Sequence, residues 1–187
     1  AKVWLEQGYV HGTADSLKGI QFYFDTVSVT GTANLMMAAS LAEGETILEN
    51  SAKEPEVVFL ADILNKAGAK IKGQGTDMIT IQGVSSLKPI ECHIFPDRIE
   101  TGTYMIAAAI TQGDVLIENC IPQHVEPITL KLQEAQVDVE TDNSSMRIRG
   151  KRPLLAVNAR THPYPGFPTD IQAQFMALMT LAHGQSI

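Results

Sequence analysis

The sequence predicts an α/β fold of repeated α-β-α-β-β units, with helices inside and sheets outside, truncated at both ends. Three observations predict it: a block that recurs at a fixed period, helical segments with almost no polar face, and paired strands around glycine-rich or polar turns. The block occupies residues 38–50, 107–119 and 177–187, and its anchoring glycines Gly44, Gly113 and Gly184 lie 69 and 71 residues apart. Self-similarity at such a period marks a repeat architecture. The third copy runs into Ile187, so the chain is expected to be an internal piece of a longer polypeptide, and chemistry missing from it carries little weight.

Residues 1–24, with Gly8-Tyr9-Val10-His11-Gly12 and Ile20-Gln21-Phe22-Tyr23-Phe24, are expected to be closing strands of an earlier unit. Thr32–Ala42 follows as a helix of good helix formers stopped by Gly44. Like Tyr104–Ile110 and Phe175–Ala182, it lacks a polar face, so burial on all sides is expected. A short strand comes next (Thr46–Glu49; Val115–Glu118), then an amphipathic helix opened by proline. In the first unit Val57, Leu60, Ala61 and Leu64 share one face, Asp62, Asn65 and Lys66 point away, and Gly68 ends the helix.

Two strands close each unit. Lys70–Lys72 and Met78–Gln82 flank the turn Gly73–Asp77, as Val137–Glu140 and Met146–Arg149 flank Thr141–Ser145. Leu64–Ile71 aligns with Leu132–Val139. Pro89 and Pro96 bracket a short extended run, which places a domain boundary near Phe95 and gives domains 1–95 and 96–187.

Composition narrows the function. With 187 residues and 44% apolar content the chain can form real cores. A net charge of -7, with Lys and Arg scattered singly, gives no basic stripe and argues against nucleic acid or an anionic membrane as partner. No run of apolar residues is long enough to span a bilayer, and no leader pattern opens the chain. Cys92 and Cys120 lack a C-x-x-C pairing or a basic neighbour and read as packing residues. His11, His93, His124, His162 and His183 show no ligand spacing, so no metal is expected. Small-molecule chemistry remains.

Sixteen residues before each anchoring glycine lie Ser28, Asp97 and Pro168, so Ser28-Val29-Thr30, Asp97-Arg98 and Thr169-Asp170 each begin an apolar helix. Free N–H groups and the positive dipole end suit phosphates or carboxylates there, while capping is the plainer reading of Ser28, Asp97 and Asp170. Asp170 differs in its surroundings. His162-Pro163-Tyr164-Pro165-Gly166-Phe167-Pro168-Thr169-Asp170 is a rigid loop delivering one carboxylate, which suits a positioned base worth about 10²- to 10⁴-fold.

In Asp25-Thr26-Val27-Ser28-Val29, Lys53-Glu54-Pro55-Glu56, Gly75-Thr76-Asp77, Pro96-Asp97-Arg98-Ile99-Glu100-Thr101-Gly102-Thr103 and Gly166-Phe167-Pro168-Thr169-Asp170-Ile171-Gln172-Ala173-Gln174-Phe175 the chain resembles the enolpyruvyl transferase family over essentially its whole length. The resemblance implies a two-domain, inside-out α/β barrel protein of six repeats, of which this chain holds the middle two and a half. It implies transfer of enolpyruvate from phosphoenolpyruvate to the 3'-hydroxyl of UDP-N-acetylglucosamine, the first committed step of bacterial peptidoglycan synthesis, in the cytoplasm and without a cofactor. By similarity Asp170 contacts the sugar 3'-hydroxyl and helps to remove its proton, and Thr26, Val27, Ser28 and Val29 bind the uridine-diphosphate portion. Many relatives carry lysine where this chain has Thr26, and often arginine where it has Lys53, a change that loses bidentate geometry. Asp97-Arg98 is expected to be an interdomain structural ion pair.

The resemblance also requires parts that this chain lacks: a loop bearing a catalytic cysteine, a lysine-asparagine pair and phosphate-binding arginines. Neither Cys92 nor Cys120 has that loop's glycine-rich context. The isolated chain is therefore expected to be inactive, and exposed apolar residues such as Phe175, Met176 and Met179 are expected to drive self-association. Two alternatives stand beside this reading. One is a 3-phosphoshikimate 1-carboxyvinyltransferase, which generally presents its acid in a Gly-Asp-x-Ser-Ser setting, unlike Pro168-Thr169-Asp170-Ile171-Gln172. The other is a non-catalytic repeat scaffold that binds a nucleotide sugar.

Overall fold

The predicted unit occurs twice in the computed structural model, which describes all 187 residues. The chain forms two compact units, Ala1–Cys92 and His93–Ile187. In the first, β1 (Lys2–Glu6) and β2 (Tyr9–Thr13) form an antiparallel ribbon turning at Gly8, with Trp4 stacked on His11 at 5.2 Å between ring centroids. Then follow β3 (Gln21–Tyr23), α1 (Val29–Ala39), β4 (Glu45–Glu49), α2 (Pro55–Lys66), β5 (Lys70–Lys72) and β6 (Met78–Gln82). These strands make one sheet in the order β3-β4-β6-β5. Met36, Leu48, Val57, Ala61, Ile71, Ile79 and Ile81 form the core between that sheet and the two helices.

The second unit holds α3 (Arg98–Ile110), β7 (Asp114–Glu118), a 3-10 turn (Pro122–Val125), α4 (Glu126–Glu134), β8 (Asp138–Thr141), β9 (Ser145–Arg149), a second 3-10 turn (Thr169–Ile171) and α5 (Gln172–Met179). Its sheet runs β7-β9-β8, antiparallel throughout. Met105, Ile128, Leu132, Met146, Ile148, Leu154, Ile171 and Leu178 fill its core. The repeat extends to a detail outside the regular strands: Lys18 bridges Glu43 in parallel, as Leu155 bridges His183. Neither sheet closes on itself. No helix is long and apolar enough to cross a membrane.

Several local expectations are corrected. β3 pairs parallel with β4, Phe22 opposite Leu48, and so joins the sheet of the first complete unit. α1 stops at Ala39, before Gly44, as the hydrogen bonds tighten to the 3-10 pattern, Leu41 N–H to Ala38 carbonyl at 3.3 Å and Ala42 N–H to Ala39 carbonyl at 3.1 Å. The apolar helices are not buried all round: Met37, Tyr104 and Met176 are 43%, 57% and 64% exposed. Each unit supplies packing neighbours to one side of these helices, and an apolar face without a neighbour stays in solvent. Asn65, expected to point away, is half-buried; its side chain donates to the Ile71 carbonyl (2.9 Å) and accepts from the Ile71 N–H (2.8 Å), tying α2 to β5. Cys120 is buried as expected, and Cys92 is exposed on an extended segment.

Candidate functional site

The residues singled out in sequence fall at the starts of three helices, one in the first unit and two in the second. At α1, Ser28 adopts an extended backbone (φ -132°, ψ 115°) and its Oγ accepts from the Gly31 N–H at 3.0 Å. Glycine is required at position 31, since a Cβ there would stand 2.8 Å from Ser28 Oγ and 3.0 Å from the Phe24 ring. The Thr32 hydroxyl donates to the Ser28 carbonyl at 2.7 Å and accepts from the Ala52 N–H at 3.1 Å, fixing the first turn against the loop after β4. The Asn50 amide holds the Phe24 carbonyl at 2.7 Å. Thr26 is exposed; Val27, Ser28 and Val29 are half-buried. The first turn of α1 contains no acidic residue. The positive end of its dipole therefore meets no carboxylate from its own first turn, an environment suited to an anion.

At the equivalent helix of the second unit the carboxylate belongs to the protein. Asp97 accepts from the N–H groups of Ile99 (2.7 Å) and Glu100 (3.3 Å) and caps α3. Arg98 is buried, its guanidinium 5.8 Å from the centre of the Tyr164 ring.

Asp170 lies in the short 3-10 turn that leads into α5, and it is exposed. The loop before it is pinned at several points. The Gly166 N–H bonds the Pro163 carbonyl (2.8 Å), and the His162 N–H bonds the Phe167 carbonyl (2.9 Å). A Cβ on Gly166 would fall 2.5 Å from His162 Cβ, so the turn requires glycine. Phe167 is buried and meets Phe175 edge-on at 5.3 Å. Neither the 3-10 turn nor α5 carries a side-chain cap. Of the three equivalent positions, then, Ser28 and Asp97 cap their helices, while the third is Pro168, which has no capping side chain, and Asp170 two residues on caps nothing. A carboxylate held on a pinned loop and free of capping can accept a hydrogen bond, and then a proton, from a substrate hydroxyl.

Thr26, Val27, Ser28 and Val29 are thus gathered at one helix start in the first unit, and Asp170 stands in the second. Gly75-Thr76-Asp77 forms the hairpin turn between β5 and β6, where the Thr76 hydroxyl lies 2.7 Å from the Gly73 carbonyl and 2.9 Å from that of Met78. Burial pushes the Cys120 thiol up, away from the thiolate that a nucleophile needs. A cleft of about 550 Å³ opens beside α5, lined by Arg160, Thr161, Phe167, Gln172 and Phe175 among others. Sequence reasoning missed Arg98 over Tyr164, Gly102 and the Thr103–Gln174 pair; all but Tyr164 lie within the Pro96–Thr103 and Gly166–Phe175 motifs, whose residue types were the available signal.

The chain is similar to curated proteins named UDP-N-acetylglucosamine 1-carboxyvinyltransferase: 53% identical to that of Desulfatibacillum aliphaticivorans and 54% to that of Geobacter metallireducens, over 187 residues each. These matches cover 100% of the chain and 45% of each relative, so the chain spans a little under half the length of the proteins it matches. Among solved structures it superimposes on the enolpyruvyl transferase NikO from Streptomyces tendae with a TM-score of 0.85 at 20% identity, covering 98% of this chain and 47% of that one. EPSP synthase from Acinetobacter baumannii gives 0.68 at 22% identity, covering 100% and 45%. These two likenesses show a shared α/β fold. The family model described as EPSP synthase (3-phosphoshikimate 1-carboxyvinyltransferase) matches residues 1–187, and the chain belongs to that family of enolpyruvyl transferases.

Proposed function

We propose that the polypeptide containing this chain transfers the enolpyruvyl group of phosphoenolpyruvate to the 3'-hydroxyl of UDP-N-acetylglucosamine, in the cytoplasm, as the first committed step of peptidoglycan synthesis and without a cofactor. The identity to relatives of that name supports the choice of acceptor. The observation that carries the chemistry is the exposed Asp170 carboxylate, pinned by its loop and free of capping. The 3'-oxygen forms a bond to C2 of phosphoenolpyruvate as its proton passes to Asp170 and C3 gains a proton; C3 then gives up a proton as phosphate leaves C2, which restores the double bond in the enolpyruvyl ether. Thr26, Val27, Ser28 and Val29 receive the uridine-diphosphate part at the start of α1, where the diphosphate meets N–H groups and the positive dipole end. Protonation at C3 and the phosphate clamp belong to segments outside this chain.

A second reading, 3-phosphoshikimate as acceptor, is favoured by the family description. The Pro-Thr-Asp-Ile-Gln setting of Asp170 in place of Gly-Asp-x-Ser-Ser weighs against it. Titration of UDP-N-acetylglucosamine into this chain, with UDP and shikimate 3-phosphate as controls, tests the choice. Selective binding of the nucleotide sugar, weakened in Asp170→Asn, is expected; selective binding of shikimate 3-phosphate overturns it. Of the residues expected to be exposed, Phe175 is buried against Phe167 and Met179 is half-buried, because α5 turns that face into the core of its own unit; Met176 is exposed, and with Tyr104 and Leu181 it supports self-association of the isolated chain, which sedimentation at rising concentration would detect.

A further inference from the structure

The Pro96–Thr103 motif is prominent in the sequence, yet the acceptor site and the acid described above make no use of it. In the folded unit its residues converge on the segment that carries Asp170. Arg98 holds the loop through the face of Tyr164, 5.8 Å from its guanidinium carbon to the ring centre. Gly102 faces Ile171, the neighbour of Asp170 and fully buried: a Cβ at Gly102 would stand 3.1 Å from Ile171 Cδ1 and 2.6 Å from Ile128 Cδ1. Thr103 Oγ1 accepts from Gln174 Nε2 at 3.1 Å, and Gln174 follows Asp170 by one helical turn. The Gln174 Oε1 is buried without a partner, so Thr103 anchors an amide that is otherwise expensive to bury.

We infer that Gly102 and Thr103 of α3 are positioning residues for Asp170: Gly102 sets the depth at which Ile171 seats, and Thr103, through Gln174, sets the rotation of α5 about its axis. The inference rests on Asp170 being the base. Asp170 sits on a three-residue turn with no side-chain cap, so the turn itself does little to hold the carboxylate. Its place is set by the pinned loop on one side and by the α3 contacts on the other. A base must lie within hydrogen-bond reach of the proton it takes, and a misplacement of about 1 Å can cost about 10²-fold in rate.

The test uses the full-length polypeptide that contains this chain, with Thr103→Val as the main variant, because valine keeps the shape and removes the hydroxyl. The expected result is a kcat lowered by about 10- to 10²-fold with KM for the acceptor within about twofold, the pattern of an interaction realised in the transition state. Thr103→Ser, which restores the hydroxyl, is expected to recover most of the loss. Gly102→Ala is expected to act in the same direction, but steric strain can also impair folding, so the Thr103 variants decide the outcome. A folded Thr103→Val protein with unchanged kcat, or a loss that Thr103→Ser fails to recover, overturns the positioning role while leaving Asp170 in place. Full activity of Asp170→Asn overturns the base assignment and the positioning role together.

Discussion

Gln136 and Gly68 hold the same position in the two repeats, each the left-handed residue that ends the second helix of its unit, with φ of +68° and +109°. The hydrogen bonds match as well. The Gly68 and Ala69 N–H groups bond the Asn65 and Leu64 carbonyls, and those of Gln136 and Val137 bond Gln133 and Leu132, all at 2.9 Å. Glycine adopts this conformation freely, whereas a residue with a Cβ does so at a cost of roughly 1–2 kcal/mol. Gln136→Gly is therefore expected to stabilise the second unit by about 0.5–1 kcal/mol, part of the relief being offset by glycine's greater freedom when unfolded. Urea denaturation would show a raised midpoint at constant slope; an unchanged or lowered midpoint would contradict it.

The three equivalent helix starts should separate under mutation. Ser28→Ala removes the cap on the Gly31 N–H and is expected to cost about 1 kcal/mol, and Asp97→Ala, which frees two N–H groups, about 1–2 kcal/mol. Asp170→Asn caps nothing and is expected to change stability by less than about 0.5 kcal/mol. Thermal unfolding of the three variants decides this. A large loss for Asp170→Asn would give that carboxylate a structural duty.

The three-stranded sheet carries an ion network that sets an acid limb. Arg147 holds Asp114 through Nε at 2.7 Å, Arg149 reaches Asp138 and Glu140 at 3.2 and 2.6 Å, and Lys151 reaches Asp138 at 3.2 Å. The Arg147 bond lowers the pKa of Asp114, Lys151 and then Arg149 lower that of Asp138, and Arg149 lowers that of Glu140; Arg149 is itself raised, chiefly by Glu140. Groups depressed in the folded state bind fewer protons there than in the unfolded chain. Their stabilisation is present above the unfolded carboxylate pKa of about 4 and is lost as pH falls through the lower folded values. Arg149→Met is expected to flatten the decline in stability below about pH 4, and about 0.5 M NaCl to blunt it, since these side chains are solvent-accessible. A decline of equal steepness in the variant would remove the network from the explanation.

The repeat was legible in the sequence because each element carries a local signal. Gly68 ends α2, Pro55 opens it, and Gly73 and Gly75 mark the β5–β6 turn, so strands at Lys70–Lys72 and Met78–Gln82 were placed to the residue. What failed depended on partners distant in sequence. The edge strand at Gln21–Tyr23 is defined by β4, about 26 residues later, and the buried face of an all-apolar helix is chosen by whichever neighbours the unit supplies. The turns of the loop that carries Asp170 were legible in its prolines and glycine, but the contacts of the following helix with α3 were not. Thr103 and Gln174 lie 71 residues apart, and a threonine in a helix start has many commoner uses.

The isolated chain is expected to form no enolpyruvyl product, because most of its arginines are committed elsewhere and its lysines are scattered singly along the sequence. Phosphoenolpyruvate carries several negative charges, and stabilising them needs clustered Arg or Lys aimed at one point. Arg147 and Arg149 are occupied by Asp114, Asp138 and Glu140 on the sheet face. Arg98 is buried over Tyr164, and Arg152 lies against the Leu181 and Ile110 carbonyls at 3.4 and 3.3 Å. Among the arginines this leaves Arg160 exposed beside α5, a single charge rather than a clamp. Incubating the pure chain with phosphoenolpyruvate and UDP-N-acetylglucosamine and following phosphate release checks the point. Release above the no-enzyme rate would mean that these arginines can regroup into a phosphate site.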